Sequence, residues 1–334
     1  METKRTIKVR AYAREWKTDW NTFLLLMAKN ASFLLDRNFM DYHADRFTDA
    51  SLLFYRDNER RPVAIFPAEV DREKRMVRSH GGLTYGGLIM AMDITCDEVR
   101  ECFHLLFRHY REMGLVELLY KPMPYIYNVY PAQEDLYVLT QEGATLSARA
   151  LSSVIDLTSH SPHAVRELRK RGARKGERAG LQVRTIEVDD EALDRFWDIL
   201  NEVLTTHHNT TPVHTPEEMR LLMRRFPHAI TLFGVFTPAG ELVAGSWVFL
   251  VGGKVVHAQY IAASDEGRTL GALDFLFLHL IDLYREDYRY FDFGISTEHE
   301  GRLLNEGLLF QKEGFGARGV CYDTYKLALT DNGR

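Results

Sequence analysis

KVVHAQYIAASDEGRTLGALDFLFLHLIDLYREDYRYFDFGI, residues 254–295, reads as a strand, a glycine-containing loop, a long helix and a second strand. Its helix places Leu273, Leu276, Phe277, Leu280, Ile281 and Tyr284 at i, i+3, i+4, i+7, i+8 and i+11. That spacing lines one face of an α-helix with apolar side chains. An earlier stretch repeats the pattern. Leu83 to Tyr120 aligns without a gap on His257 to Gly294 at an offset of 174 residues, the spacing from Val99 to Leu273. Its apolar face is Val99, Cys102, Phe103, Leu106, Phe107 and Tyr110. Both helices end in Arg-Glu, at Arg111-Glu112 and Arg285-Glu286, and strands follow at Leu115–Tyr120 and Tyr290–Ile295. Each unit is βαβ-like, so the chain is expected to carry one fold twice.

Working outward, strands precede each unit. Ser51–Tyr55 and Val63–Pro67 flank the turn-like Arg56-Asp57-Asn58-Glu59-Arg60-Arg61. Ile230–Phe236 and Leu242–Val251 flank Thr237-Pro238-Ala239-Gly240, a hairpin turn, and Lys254–Ala263 follows. Between the halves, Asp156 or Ser159 with Ser161-Pro162 predicts the start of a helix running to Gly180. It is dense in cations: Arg166, Arg169, Lys170, Arg171, Arg174, Lys175 and Arg178. A helix near Glu191–Leu204 carries Leu193, Phe196, Trp197, Leu200 and Leu204 on one stripe. Thr215-Pro216-Glu217-Glu218 predicts a capped helix start with proline at its first position. The expected class is α/β with mixed sheets, in two domains at 1–155 and 156–334.

Bulk properties narrow the function. The chain has 334 residues, a length that suggests two domains, and a net charge of −5, which excludes a whole-chain electrostatic footprint for DNA. Three cysteines, Cys96, Cys102 and Cys321, without paired spacing argue against a disulfide framework or a zinc site. The charged N-terminus and the lack of an apolar run of membrane length point to a cytoplasmic protein without a membrane span. His207, His208 and His214 have no carboxylate at ligand spacing, so no metal is expected.

The chemistry-bearing stretch is Arg268-Thr269-Leu270-Gly271-Ala272, which runs into the helix. A glycine turn at a helix N-terminus offers backbone N–H groups and a positive dipole to a pyrophosphate, and an arginine adds charge-assisted bonds. A surface arginine beside a capping glycine is the plainer alternative. The order hairpin, strand, Arg-x-x-Gly-x, helix, strand, then Asn305-Glu306-Gly307-Leu308-Leu309-Phe310-Gln311-Lys312-Glu313-Gly314-Phe315-Gly316 resembles the acyl-CoA-binding half of the GNAT superfamily. The doubling, with Phe310-x-Lys312-x-x-Phe315-Gly316, resembles the Fem-type peptidoglycan aminoacyltransferases and the acetyltransferases with BioF2-like domains. Leu273 departs from the small residue usual at the sixth position of the loop.

The resemblance implies two GNAT-like domains in tandem and an enzyme that transfers an acyl group to an amine. It implies acyl-CoA, such as acetyl-CoA, as co-substrate, held by Gln259, Arg268, Gly271 and Asn305. It implies catalytic candidates His257, Asp292, Glu298 and Lys312, with His257 and Gln259 on one strand face. The alternatives are a buried structural histidine at His257, structural carboxylates at Asp292 and Glu298, and a solvated surface lysine at Lys312. In the first half the position equivalent to Arg268 is Ile94, so a single donor site is expected, in the second half. The first half then recognises the acceptor, through the glycine-rich Ser79–Gly87 and through 121–127. His80, Tyr85, Lys121, Tyr125 and Tyr127 are its binding candidates, in a pocket expected between the domains. The analogy points to a small metabolite or a cell-envelope precursor as acceptor. Two further readings remain open: an aminoacyl-tRNA donor, contacted through the basic helix 166–178, and a non-catalytic binding protein.

Overall fold

The computed structural model describes residues 6–57, 59–159, 164–208 and 210–329. Two compact units divide the chain. Unit 1 comprises Met1–Ala150, His299–Arg302 and Cys321–Arg334; unit 2 comprises Leu151–Glu298 and Leu303–Val320. The C-terminal segment therefore returns to the first unit instead of closing the second half.

In unit 1 the elements are β1 (Ile7–Ala11), α1 (Lys17–Leu26), α2 (Arg37–Met40), β2 (Leu52–Arg56), β3 (Pro62–Phe66), β4 (Glu69–Asp71), β5 (Met76–Arg78), β6 (Ile89–Met90), α3 (Cys96–Glu112), β7 (Glu117–Tyr120), α4 (Glu134–Gln141) and the first half of β8 (Thr145–Asp156). Unit 2 contains the rest of β8, α5 (Glu167–Arg178), β9 (Gln182–Ile186), α6 (Ala192–His208), α7 (Pro216–Arg225), β10 (Ile230–Phe236), β11 (Leu242–Val251), β12 (Val255–Ala263), α8 (Asp265–Leu270), α9 (Ala272–Tyr284), β13 (Tyr290–Ile295), β14 (Thr297–Glu298), β15 (Leu303–Leu304), α10 (Glu306–Glu313) and the start of β16 (Arg318–Ala328).

The first unit has a sheet ordered β1-β2-β3-β6. A second set of strands holds the hairpin β4-β5, with β5 parallel to β7, and the end of β16 antiparallel to β7 through Tyr325↔Tyr120 to Ala328↔Glu117. This pairing is what draws the C-terminus into unit 1. The apolar face of α3 is buried, including Val99, Cys102, Phe103, Leu106 and Tyr110. Thr95 and Glu98 close its N-terminus in a reciprocal capping box, and Glu98 also pairs with Arg56 at 2.6 Å.

Strands of the second unit run in the order β8-β13-β12-β11-β10-β9. All neighbours are antiparallel except β12 and β13. Leu276, Phe277, Leu280 and Ile281 of α9 pack with Val248, Val256, Ala258, Phe291, Phe293 and Phe315 in one core. Sheet side chains alternate in direction, so His257 and Asp292 point away from that core. Thr215 and Glu218 form the expected capping box for α7, with Pro216 at its start. The basic helix starts at Glu167 with Arg166 as N-cap, later than the sequence suggested; Ser161 and Pro162 lie outside the described residues. Small residues pack this helix onto α9, because a Cβ on Gly172 would meet Asp274 Oδ2 at 1.9 Å. Arg169 pairs with Asp274 at 2.7 Å. Lys170 is half-buried, and Arg171, Arg174, Lys175 and Arg178 are exposed.

Candidate functional site

Strands β12 and β13 pair in parallel over only three residues, Val255↔Tyr290, Val256↔Phe291 and His257↔Asp292. Beyond this point β12 continues to Ala263 paired with β11, while β13 turns to β8 through Ile295↔Ser152. The two strands separate, and beyond the split the Gly294 N–H bonds to Asp292 while Gly294 O and Ile295 O accept from Lys312. His257 and Asp292 mark the apex of this opening.

Asp292 is completely buried, and a buried carboxylate needs donors. It has three. Ser152 Oγ donates to Oδ1 at 2.5 Å, the Gly294 N–H donates to Oδ1 at 2.8 Å, and His257 Nδ1 lies 3.1 Å from Oδ2. Gly294 bends its N–H back at φ 76°, a left-handed conformation that glycine adopts at little cost. A carboxylate accepts only, so Nδ1 carries the hydrogen and Nε2 is the basic nitrogen. Across the sheet His257 pairs with Phe249, and a bulge at Gln259 sets Tyr260 opposite Trp247. Gln259 itself is half-exposed at this bulge.

Lys312 reaches the same place from α10. Its ammonium donates to Gly294 O and Ile295 O, both at 2.8 Å. The side chain is buried, and this burial pulls its pKa down to about 8, against the opposing pull of Asp292. Sequence pattern placed Lys312 at the site, but its burial is a finding of the structure. Ser296, next along the chain, is buried with a hydroxyl that has no partner. Glu298 stands apart from the His257–Asp292 pair: it is exposed and accepts from Asn305 Nδ2 at 3.0 Å. Asn305 in turn caps α10 through Leu308 N.

The region around Arg268 differs from expectation. Residues 265–270 form a helix, not an open loop, because Ser264 caps them through Gly267 N and Gly267 packs against Val243 O. The Arg268 guanidinium bonds to Ala263 O at 2.9 Å and pairs with Asp265. Gly271 is left-handed at φ 76° and begins α9 without a side-chain cap. A Cβ there would meet Gly172 O at 2.4 Å, so α5 presents a carbonyl oxygen to this helix start. A carbonyl oxygen at this helix start is poor company for a pyrophosphate, and Arg169 is already paired there with Asp274. The expected phosphate cradle does not fit these residues.

The acceptor candidates of unit 1 are partly gathered. The Tyr85 and Tyr127 rings meet tilted at 4.9 Å; the Tyr85 hydroxyl donates to Ser32 Oγ at 3.0 Å, and Tyr127 accepts from the Tyr322 hydroxyl at 2.9 Å. Lys121 is largely enclosed and reaches Leu83 O at 3.4 Å; burial lowers its pKa. Tyr125 is exposed and stands apart. His80 is drawn to His43 instead, ring to ring at 5.4 Å. Both rings are buried, and loss of water lowers them to about 3 and about 4 respectively. The start of α3, at the place matching α9 in the repeat, is closed by its own capping box. Among the described residues no group of three or more His, Cys, Asp or Glu is placed to hold a metal ion. His214 bonds to Tyr260 at 2.8 Å; the side chains of His207 and His208 lie outside the described residues. No described helix is long and apolar enough to cross a membrane.

Ser152 escaped sequence reasoning. It lies 140 residues from Asp292, and only the β8–β13 register joins them. The alternation of β8 is the one local signal, since it sets Ser152 and Val154 on the Asp292 face.

Comparison with known proteins bears on this geometry. Residues 164–301 match the family described as Acetyltransferase (GNAT) domain. Over nearly the whole chain the fold is similar to the crystal structure of FemX, with TM-score 0.65, 10% identity and 96% of each chain covered. It is also similar to the structure of L-PGS from Bacillus licheniformis, with TM-score 0.57, 14% identity and 82% of each chain covered. The tandem GNAT protein from the clavulanic acid biosynthesis pathway gives TM-score 0.53 and 12% identity, covering 97% of this chain and 99% of that one. No curated protein matches in sequence.

Proposed function

We propose, for a chain whose residues 164–301 match the GNAT acetyltransferase domain family within a FemX-like fold, that it moves an activated acyl group onto an amine by direct attack. The observation that carries this reading is the buried His257–Asp292 pair at the point where β12 and β13 part, with the Lys312 ammonium beside it. Parted strands accept an extended donor, with its carbonyl beside the pair. The amine nitrogen attacks the carbonyl carbon and a C–N bond forms. His257 Nε2 takes the proton that nitrogen must lose. Two of the three Lys312 hydrogens are assigned to carbonyls, and the third serves the developing oxyanion. The bond from carbon to the leaving sulfur or oxygen then breaks, and the proton held by His257 passes to the leaving group. No acyl-enzyme is needed. Asp292 orients and Glu298 takes no direct part.

Unit 1 recognises the acceptor, with Lys121 as the candidate contact; Tyr85 and Tyr127 are buried and hydrogen-bonded within the unit and support its position. A small metabolite or a cell-envelope precursor in the cytoplasm suits this reading. For the donor, the GNAT match favours a CoA thioester. A second reading, an aminoacyl ester on tRNA, is favoured by one observation: Arg268 is engaged with Asp265 and Ala263, and α5 stands over the start of α9. Calorimetric titration with acetyl-CoA and with a non-hydrolysable aminoacyl-tRNA separates them. Micromolar acetyl-CoA binding weakened tenfold or more by Arg268→Ala supports the thioester. Binding of the charged tRNA alone supports the ester, and binding of neither argues for a non-catalytic protein.

A further inference from the structure

We propose that Ser152 is a positioning residue of this site, holding Asp292 so that His257 keeps the tautomer whose Nε2 is a base. Only the effect on turnover rests on the acyl-transfer reading; the geometry stands by itself. The Asp292 carboxylate is completely buried, so its orientation depends on the donors the protein supplies. Oδ1 takes the Ser152 O–H at 2.5 Å and the Gly294 N–H at 2.8 Å, and Oδ2 is left facing His257 Nδ1 at 3.1 Å. The Gly294 bond comes from the carboxylate's own turn two residues on, and it moves with that turn. Ser152 comes from another strand and fixes the carboxylate against the sheet.

The register makes this specific. Val154 stands opposite Asp292 and Ser152 opposite Ile295, so Ser152 sits where β13 has begun to leave β12. Its neighbour Ser153 points to the other face and has a buried hydroxyl without a partner, so the choice of serine is set by direction. Both lie before residue 164, where the GNAT match begins. The matched segment thus lacks the group that anchors its own orienting carboxylate, and β8 supplies it.

Without the hydroxyl, Asp292 loses the Ser152 donor on Oδ1 and rotates. His257 then loses a fixed acceptor at Nδ1, and the Nε2–H tautomer becomes populated. In that tautomer Nε2 donates and cannot take the amine's proton. Partners of this kind, one shell behind the reacting group, typically change activity by about 10- to 100-fold when removed from metal-bound histidines, and we expect a similar range here.

The test uses the full chain labelled with 15N in histidine, with His257 assigned by its loss in His257→Gln. Wild type should show the nitrogen shifts of an Nδ1–H imidazole. Ser152→Ala should move them toward the Nε2–H pattern, and Ser152→Thr, which keeps the hydroxyl, should restore them. Ser152→Cys, nearly the same size but a weak donor, replaces Ala if that variant fails to fold, and should also move the signal. Unchanged shifts in a folded Ser152→Ala or Ser152→Cys overturn the proposal. In turnover, kcat should fall about tenfold or more with donor KM unchanged. A tautomer change in a protein with no turnover on any donor leaves the positioning role intact and removes the functional reading; turnover with an unmoved tautomer does the reverse.

Discussion

Replacing Lys312 by methionine should make the protein more stable and less active. The ammonium is buried, and its pKa falls from an ordinary 10.5 to about 8. That fall corresponds to roughly 3 kcal/mol of penalty on the charged form in the folded state. Methionine removes the penalty and keeps most of the volume. It also leaves Gly294 O and Ile295 O without their donor, at about 1 kcal/mol each. The net gain at pH 7 is then about 1 kcal/mol. The sign with pH follows from linkage: the folded pKa lies below the unfolded one, so between about pH 8 and 10.5 the unfolded chain binds more protons and the wild type gains stability as pH rises. The variant lacks this gain, so its advantage should shrink above pH 8 and reverse near pH 9. Hydrogen exchange of peptides covering β13 and α10, at pH 7, 9 and 10, reads the local opening free energy. A difference between the two proteins that stays flat from pH 7 to 10, or a variant destabilised at pH 7 by several kcal/mol, would refute the reasoning.

His43 and His80 should make unit 1 acid-sensitive. Their folded values of about 4 and about 3 lie below the ordinary 6.5, so stability is full above pH 6.5 and is lost as pH falls toward 4. At pH 5 the loss is roughly 2 kcal/mol per ring. His80→Asn, whose side chain tolerates the φ of 66° found there, should flatten the pH dependence of thermal unfolding; an unchanged slope contradicts the pairing. Gly271→Ala should cost more than Gly240→Ala, since both glycines are left-handed but only Gly271 has a neighbour in the way, at 2.4 Å. We expect about 1 kcal/mol at Gly240 and at least 2–3 kcal/mol at Gly271, compared by melting temperature. Thr215→Ala should cost about 1 kcal/mol through loss of the α7 capping box, read in the same melts.

Much of the fold was legible because its signals are local. The apolar faces of α3 and α9, the hairpin β10–β11 and the Thr215 cap depend on a few consecutive residues, and the structure has them where the spacing put them. Legibility failed where distant strands decide. β6 shrinks to Ile89–Met90, and the parallel partner of β7 is β5, from an inserted hairpin that no repeat predicted. The Arg268 region reads as a loop because of its glycines, yet Gly267 is there to let a helix touch Val243 O and Gly271 to let α5 approach. Among site residues, His257 and Asp292 were nominated separately; their hydrogen bond follows from parallel register, which sequence does not encode locally. Ser152 lacked even a motif, being one serine of a pair on a strand.

The most direct test of acyl transfer at this pair is product formation. The purified chain is incubated with acetyl-CoA or charged tRNA and a panel of amines, and new amides are counted by mass spectrometry for wild type, His257→Gln and Asp292→Asn. The account predicts an amide from at least one donor, with rates reduced about 100-fold or more in His257→Gln and comparably in Asp292→Asn. Amide formed equally fast by all three proteins would contradict it.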